Sequence, residues 1–153
     1  MISSNTVASD EVTIEASVEH VWAILLDFAN YHSWNSFCPT AKVESLELGS
    51  AVDMMVDLGG GLAQQVEYLC KVEPYKCIAW AMENKPGDPI HAVRSQHLKK
   101  LNEQRCTYIS VDEFSGPDMA DMMQHFAPAV EAGFNRCAHD LKAHAEKTYN
   151  PQD

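Results

Sequence analysis

The chain has few basic residues and no long hydrophobic run, and these two shortages exclude several classes of protein. It carries 11 Lys plus Arg against 22 Asp plus Glu, so its formal net charge is -11 at pH 7. Such an acidic surface repels phosphate backbones, which argues against nucleic acid as a partner. The longest apolar run covers residues 21–26, whereas a membrane-spanning helix needs about 20 such residues. We therefore expect no integral membrane segment.

Targeting signals and paired cysteines are also missing. Residues 1–10, MISSNTVASD, have neither a basic start nor an apolar stretch, so we expect a cytoplasmic protein rather than a secreted one. The five cysteines are odd in number, dispersed, and nowhere form C-x-x-C. This pattern predicts free buried thiols rather than a disulfide framework or a zinc site. We expect one domain over residues 1–153, with flexible ends at 1–10 and 148–153.

Several catalytic motifs are absent as well. The sequence contains no G-x-S-x-G, no Walker or Rossmann glycine pattern and no H-E-x-x-H. His139 and His144 lie five residues apart, which is poor spacing for two ligands on one helix. We therefore predict neither a metal nor a cofactor.

The first elements can be read from their apolar periodicity. Residues 11–16 alternate and predict a strand. Ser17 then stands at the N-cap position of a helix that buries one face and fades near Asp27. The segment YHSWNSFCPT, residues 31–40, follows with three aromatic rings but neither a strand's nor a long helix's pattern. We interpret these rings as anchors that hold an irregular connection against the core; direct ligand contact is the alternative.

The rest of the chain alternates and then becomes helical. Turn residues separate the predicted strands, which cover 41–48, 51–58, 62–72, 76–83, 91–101 and 105–114. A long amphipathic helix should run from the N-cap Asp118 to about Lys147, kinked or split at Pro128. Consecutive short strands favour an antiparallel meander. The predicted fold is α+β: a curved antiparallel sheet of about seven strands wrapped around the C-terminal helix, with two short helices after the first strand.

Three segments resemble the START-like (SRPBCC) superfamily with the helix-grip fold, in particular its polyketide cyclase/dehydrase and lipid transport branch. The opening VEHVWAILLDFANYHSWNSF, residues 18–37, is similar to the V-W-x-L-L-x-D-x-x-x-Y-x-x-W-N-P-F pattern, with Ser36 where the family often has Pro. SQHLKKL at 95–101 with DEFSG at 112–116 resembles the final hairpin. GFNRCAHDLKAHAE at 133–146 resembles the last helix. The resemblance implies a cavity between sheet and helix.

Candidate site residues follow from that architecture. Met-rich and Phe-rich walls suit varied apolar ligands, and the ligand-binding candidates are Trp22, Met54, Val56, Val66, Trp80, Met82, Arg94, Met123, Phe126, Val130 and Phe134. His97 matches a histidine common in the family and is the first catalytic candidate; Tyr68 is the second, because alternation can turn its hydroxyl inward. Glu67 and Asp112 can each face the interior or the solvent, and an exposed or simply ion-paired position is favoured for both.

Two functions remain open at this stage. The favoured one is binding of a hydrophobic small molecule, such as a lipid, polyketide or isoprenoid, by a monomer or homodimer. The alternative is a cofactor-independent polyketide cyclase, aromatase or dehydratase, which would fold a flexible chain and move protons with one or two polar groups. A regulatory or co-chaperone-like partner binder, as the superfamily also contains, is a weaker third possibility.

Overall fold

The computed structural model describes residues 1–152 as an antiparallel sheet of eight strands with a long helix packed against it. The strands are β1 (Thr6–Ala8), β2 (Val12–Ile14), β3 (Thr40–Val43), β4 (Ala51–Asp57), β5 (Leu62–Glu73), β6 (Cys77–Ala81), β7 (His91–Asn102) and β8 (Arg105–Ser115). The helices are α1 (Val18–Leu26), a 3₁₀ helix (Phe28–Ser33) and α2 (Met119–Thr148). The predicted α+β helix-grip architecture is confirmed.

The sheet is a meander from β3 to β8, and the chain's first two strands pair with β8 at one edge. Its order is β1-β8-β7-β6-β5-β4-β3, and β2 also pairs with β8. Helix α2 contacts β1, β2 and β8 and buries a stripe of nine residues against the sheet: Met123, Ala127, Val130, Gly133, Phe134, Cys137, Ala138, Leu141 and Ala145. Helix and sheet therefore share one core.

Hydrogen bonds and ring contacts fix the start of α1 and the connection that follows it. The Ser17 hydroxyl accepts a hydrogen bond from the backbone N–H of His20 at 3.1 Å, which caps α1 as predicted. The Tyr31 hydroxyl, on the 3₁₀ helix, donates to the Leu25 carbonyl at 2.6 Å. Trp34 packs edge-on against Tyr31 with ring centroids 5.1 Å apart. Two of the three rings in residues 31–40 thus anchor the connection.

The structure differs from the predicted elements in three places. Residues 6–8 form a strand, which the polar composition of residues 1–10 had hidden. Strand β3 ends at Val43 rather than near residue 48, because residues beyond it have no partner strand. Helix α2 continues through Pro128 without being split, since a proline removes one backbone donor and neighbouring turns keep theirs.

Four of the five cysteines are buried free thiols, as predicted, and Cys70 is exposed. Over residues 1–152, no helix is long and apolar enough to cross a membrane. Nor does any group of three or more His, Cys, Asp or Glu side chains in that range have a metal-binding arrangement.

Candidate ligand cavity

A cavity of about 400 Å³ lies between the sheet and the N-terminal half of α2. Strands β4, β5, β7 and β8 supply most of its wall, and α2 covers one side. Its lining is largely apolar and comprises Phe37, Met54, Val56, Leu58, Gln65, Val66, Glu67, Met82, Ala92, Arg94, Asp112, Phe114, Met122, Phe126, Val130 and Phe134. Three of these residues are ionisable: Glu67, Arg94 and Asp112. The cavity is thus hydrophobic with one charged region.

Strand pairing aligns Arg94 with its neighbours in one row across the sheet. Arg94 on β7 lies directly opposite Asp112 on β8 and opposite Trp80 on β6. Since facing residues of antiparallel strands project to the same side, these three side chains belong to one row across the sheet. Ala92 and Phe114 form the next facing pair along the same two strands. The arginine therefore has aromatic and apolar neighbours on both sides.

Arg94 is 6% exposed, yet none of the ion pairs found among residues 1–152 includes it. Its Nε donates to the Ser110 hydroxyl at 2.9 Å, and one Nη contacts the Cys137 sulfur at 3.9 Å. The guanidinium carbon lies 4.4 Å from the ring centroid of Phe134 and 5.4 Å from that of Phe37. These rings stabilise the charge through cation–π contact, while the remaining N–H donors have no acceptor in the described chain.

Glu67 and Asp112 are the two carboxyls of the cavity. The pKa of Glu67 is raised to about 7, chiefly by burial and also by the Asp112 charge, while Arg94 acts in the opposite direction. Burial also raises the pKa of Asp112 to about 7, with Arg94 again lowering it. One oxygen of Asp112, Oδ1, is buried without a hydrogen-bond partner in the described residues. Both groups can therefore exchange protons near neutral pH.

A second polar layer lies deeper, beyond Arg94. The fully buried Tyr108 hydroxyl donates to the Gln96 side-chain oxygen at 2.6 Å, and the backbone N–H of Ser110 donates to the Ser9 hydroxyl at 3.0 Å. Burial raises the pKa of Tyr108 well above its usual range, and burial raises the pKa of Cys137 as well. This layer is neutral and internally bonded, so it supports Arg94 without offering a further charge.

Eight of the eleven predicted ligand-binding residues line the cavity: Met54, Val56, Val66, Met82, Arg94, Phe126, Val130 and Phe134. The other three, Trp22, Trp80 and Met123, are buried in the core but are not part of the lining. Trp80 nevertheless contacts the site indirectly, because its ring centroid lies 5.6 Å from the Arg94 guanidinium carbon.

The structure places both catalytic candidates, His97 and Tyr68, away from the cavity. His97 lies on the face of β7 opposite to Arg94, exposed in a shallow groove beside Lys71, Lys76 and Lys99. Tyr68 follows Glu67 on β5 and so projects to the other side of the strand, half-buried and away from the cavity. Neither side chain is positioned to reach a ligand held beside Arg94.

Glu67 and Asp112 are the residues that sequence reasoning undervalued. Each sits in an alternating strand where a shift of one residue exchanges the inner and outer faces. The neighbouring residues gave no signal either way, since Asp112 is followed by Glu113 and Glu67 is preceded by Gln65 and Val66. Phe37, for which an anchoring role was favoured over ligand contact, lines the cavity and packs edge-on against Phe134 with ring centroids 5.7 Å apart.

Comparisons with known proteins agree with this architecture. The family model described as polyketide cyclase/dehydrase and lipid transport matches residues 6–146. No curated protein matches the chain.

Solved structures resemble the fold over most of the chain. The Zhui aromatase/cyclase from Streptomyces sp. R1128 is 18% identical, with 93% of each chain covered and a TM-score of 0.72. A START superfamily protein from Mycobacterium smegmatis is 14% identical, with 90% of this chain and 99% of that chain covered and a TM-score of 0.61. The di-domain aromatase/cyclase BexL from the BE-7585A pathway is 8% identical, and the match covers 89% of this chain and 46% of that one, with a TM-score of 0.68.

Proposed function

Because the chain belongs to the polyketide cyclase/dehydrase and lipid transport family, we propose that it binds a hydrophobic small molecule in the cavity beneath α2. The ligand is lipid-, polyketide- or isoprenoid-like, and its oxygen-bearing end lies at Arg94. The observation that carries this proposal is a buried guanidinium, without an ion pair in the described chain, at the inner end of an apolar cavity.

The unused donors of Arg94 indicate what that end must supply. A guanidinium has five N–H donors, and two of them are used within the described residues. The donors that the protein leaves free can bond to an oxygen of a ligand that enters the cavity. The walls of Met, Val and Phe side chains bury the rest of the ligand, as apolar pockets with a few polar groups do.

We expect cavity-filling at α2 to abolish this binding. Val130→Trp places an indole into the cavity, so titration with the neutral probe 2-acetylnaphthalene should show at least a tenfold loss of affinity. Gln124→Trp, at an exposed position of the same helix, is the matched control and should bind like the native chain. Thermal melting of both variants tests that they are folded. Equal binding by all three proteins would show that the cavity is not the site.

A second function is favoured by the two carboxyls. In a cyclase or dehydratase, one ionised carboxyl removes a proton from the carbon next to a ketone whose oxygen Arg94 holds, and the electron pair shifts to form the enolate. The protonated partner then gives its proton to a leaving hydroxyl, and water departs. Groups with a pKa near 7 suit both steps. The guanidinium stabilises the enolate oxygen.

Exchange of ketone α-protons tests this second function without knowledge of the natural substrate. In deuterated water, the native protein should accelerate deuterium incorporation into the methyl group of 2-acetylnaphthalene, as followed by proton NMR. Glu67→Gln and Asp112→Asn should each reduce the rate at least tenfold while the probe still binds. Binding without any acceleration would leave a binding protein and rule out this proton transfer.

A further inference from the structure

We propose that the cavity takes a hydrophobic acid as its anion, and that Glu67 and Asp112 take up protons when that anion binds. The inference rests on the proposed function and names the chemical class of ligand. It starts from the arrangement of three ionisable groups around one mostly apolar cavity.

The arginine supplies the attraction for an anion. Arg94 stays protonated at any pH at which the protein is folded, and no ion pair within residues 1–152 includes it. When both cavity carboxyls are protonated, a neutral ketone satisfies one donor but leaves the charge of Arg94 uncompensated once water is expelled. A carboxylate compensates the charge and accepts two parallel N–H bonds. The geometry therefore favours an anion over a neutral oxygen.

The two cavity carboxyls decide when that attraction acts. With both ionised, Arg94, Glu67 and Asp112 together carry one net negative charge, which repels an anion. With both protonated, the same three groups carry one net positive charge. The other titratable groups around Arg94 are Cys38, Cys137, Tyr31 and Tyr108, and burial raises the pKa of each, which keeps them neutral. Anion binding and protonation of the carboxyls therefore favour each other.

An unpaired carboxyl oxygen also favours protonation of the cavity when an anion binds. Asp112 Oδ1 is buried and has no hydrogen-bond partner in the described residues. A protonated carboxyl needs an acceptor for its O–H, and a bound anion supplies one. Burial already raises the pKa of both groups to about 7, so the free energy needed to protonate them at neutral pH is small.

Two rigid probes of nearly equal shape test the inference. 2-Naphthoate stays ionised from about pH 6 to about pH 9, whereas 2-acetylnaphthalene is neutral throughout. Calorimetric titration in two buffers of different ionisation enthalpy measures the protons taken up on binding. We expect uptake of at least half a proton with naphthoate near pH 7.5 and none with the ketone. Above pH 7, naphthoate affinity should fall roughly tenfold per pH unit for each proton taken up.

Variants identify the groups that take up the protons. Glu67→Gln and Asp112→Asn should each lower the proton uptake and flatten the pH dependence, and the double variant should bind naphthoate equally from about pH 6 to about pH 9. Glu113→Gln, an exposed position next to Asp112 on β8, should behave like the native chain. Each protein is first checked by thermal melting.

The outcomes separate the two proposals. Naphthoate binding without proton uptake, or ketone binding without naphthoate binding, would overturn the inference and leave the proposed function intact. Loss of pH dependence only in Glu113→Gln would also overturn it. If neither probe binds the native chain at millimolar concentration, the proposed function fails together with the inference.

Discussion

Replacing Gly116 by alanine should lower the free energy of unfolding by about 3 kcal/mol. Gly116 joins β8 to α2 at φ +106°, a conformation that residues with a side chain rarely adopt. A Cβ at this position would lie 2.6 Å from the Pro89 carbonyl oxygen, which also accepts the backbone N–H of Asp118 at 2.9 Å. Backbone strain and overpacking therefore act together.

Gly87→Ala separates the two causes. Gly87 has φ +90°, but an added Cβ there meets nothing within 4 Å. This variant should lose about 1 kcal/mol through backbone strain alone. Chemical denaturation of both variants measures the difference. Equal losses would mean that the close approach of Gly116 to Pro89 contributes nothing to holding α2 over the cavity.

At about pH 8, we expect the double variant Glu67→Gln, Asp112→Asn to be more stable than the native chain by on the order of 3 kcal/mol. The pKa of Glu67 is raised from 4.5 to about 7 and that of Asp112 from 3.8 to about 7, mainly by burial. A raised folded-state pKa contributes stability below the unfolded-state pKa, and that contribution is lost as the pH rises through about 7. The amides carry no charge to bury.

The stability gain of the double variant should depend on pH. Near pH 4, both carboxyls are largely neutral in the folded protein, so the double variant should gain little there. Urea denaturation at several pH values between about 4 and 8 measures the difference. Glu113→Gln, at an exposed position, serves as the control and should follow the native profile. A gain of the same size at every pH would contradict the assignment, because it would point to packing rather than ionisation.

The fold could be predicted because its signals are strong and repeated. Alternation marks the long strands β4, β5, β7 and β8, and a helical stripe marks α2, so small errors at their ends do not change the architecture. The short strand β1 could not be found in the same way. Its three residues are too few to show a period, and its place in the sheet depends on pairing with β8 more than a hundred residues later.

The charged part of the site was harder to predict for a physical reason. A strand has two faces, and only the tertiary packing decides which one meets α2. On β5 the register shifts between Leu69 and Lys71, so counting alternate residues across that point gives the wrong face. Alternation therefore left the direction of Tyr68 open and favoured an outer position for Glu67, which lines the cavity. The large apolar residues on β4 and α2 were easier to orient, because apolar side chains favour the buried face, and most of those predicted to bind ligand line the cavity.

The pairing of the first strands with β8 has a consequence for synthesis of the chain. Strands β1 and β2 have no partner until residues 105–115 have emerged. At roughly 5–20 residues per second, they wait several seconds on the ribosome. An unpaired apolar strand invites wrong association during such a delay. Each of the two strands is only three residues long, which leaves little exposed edge for another nascent chain to capture.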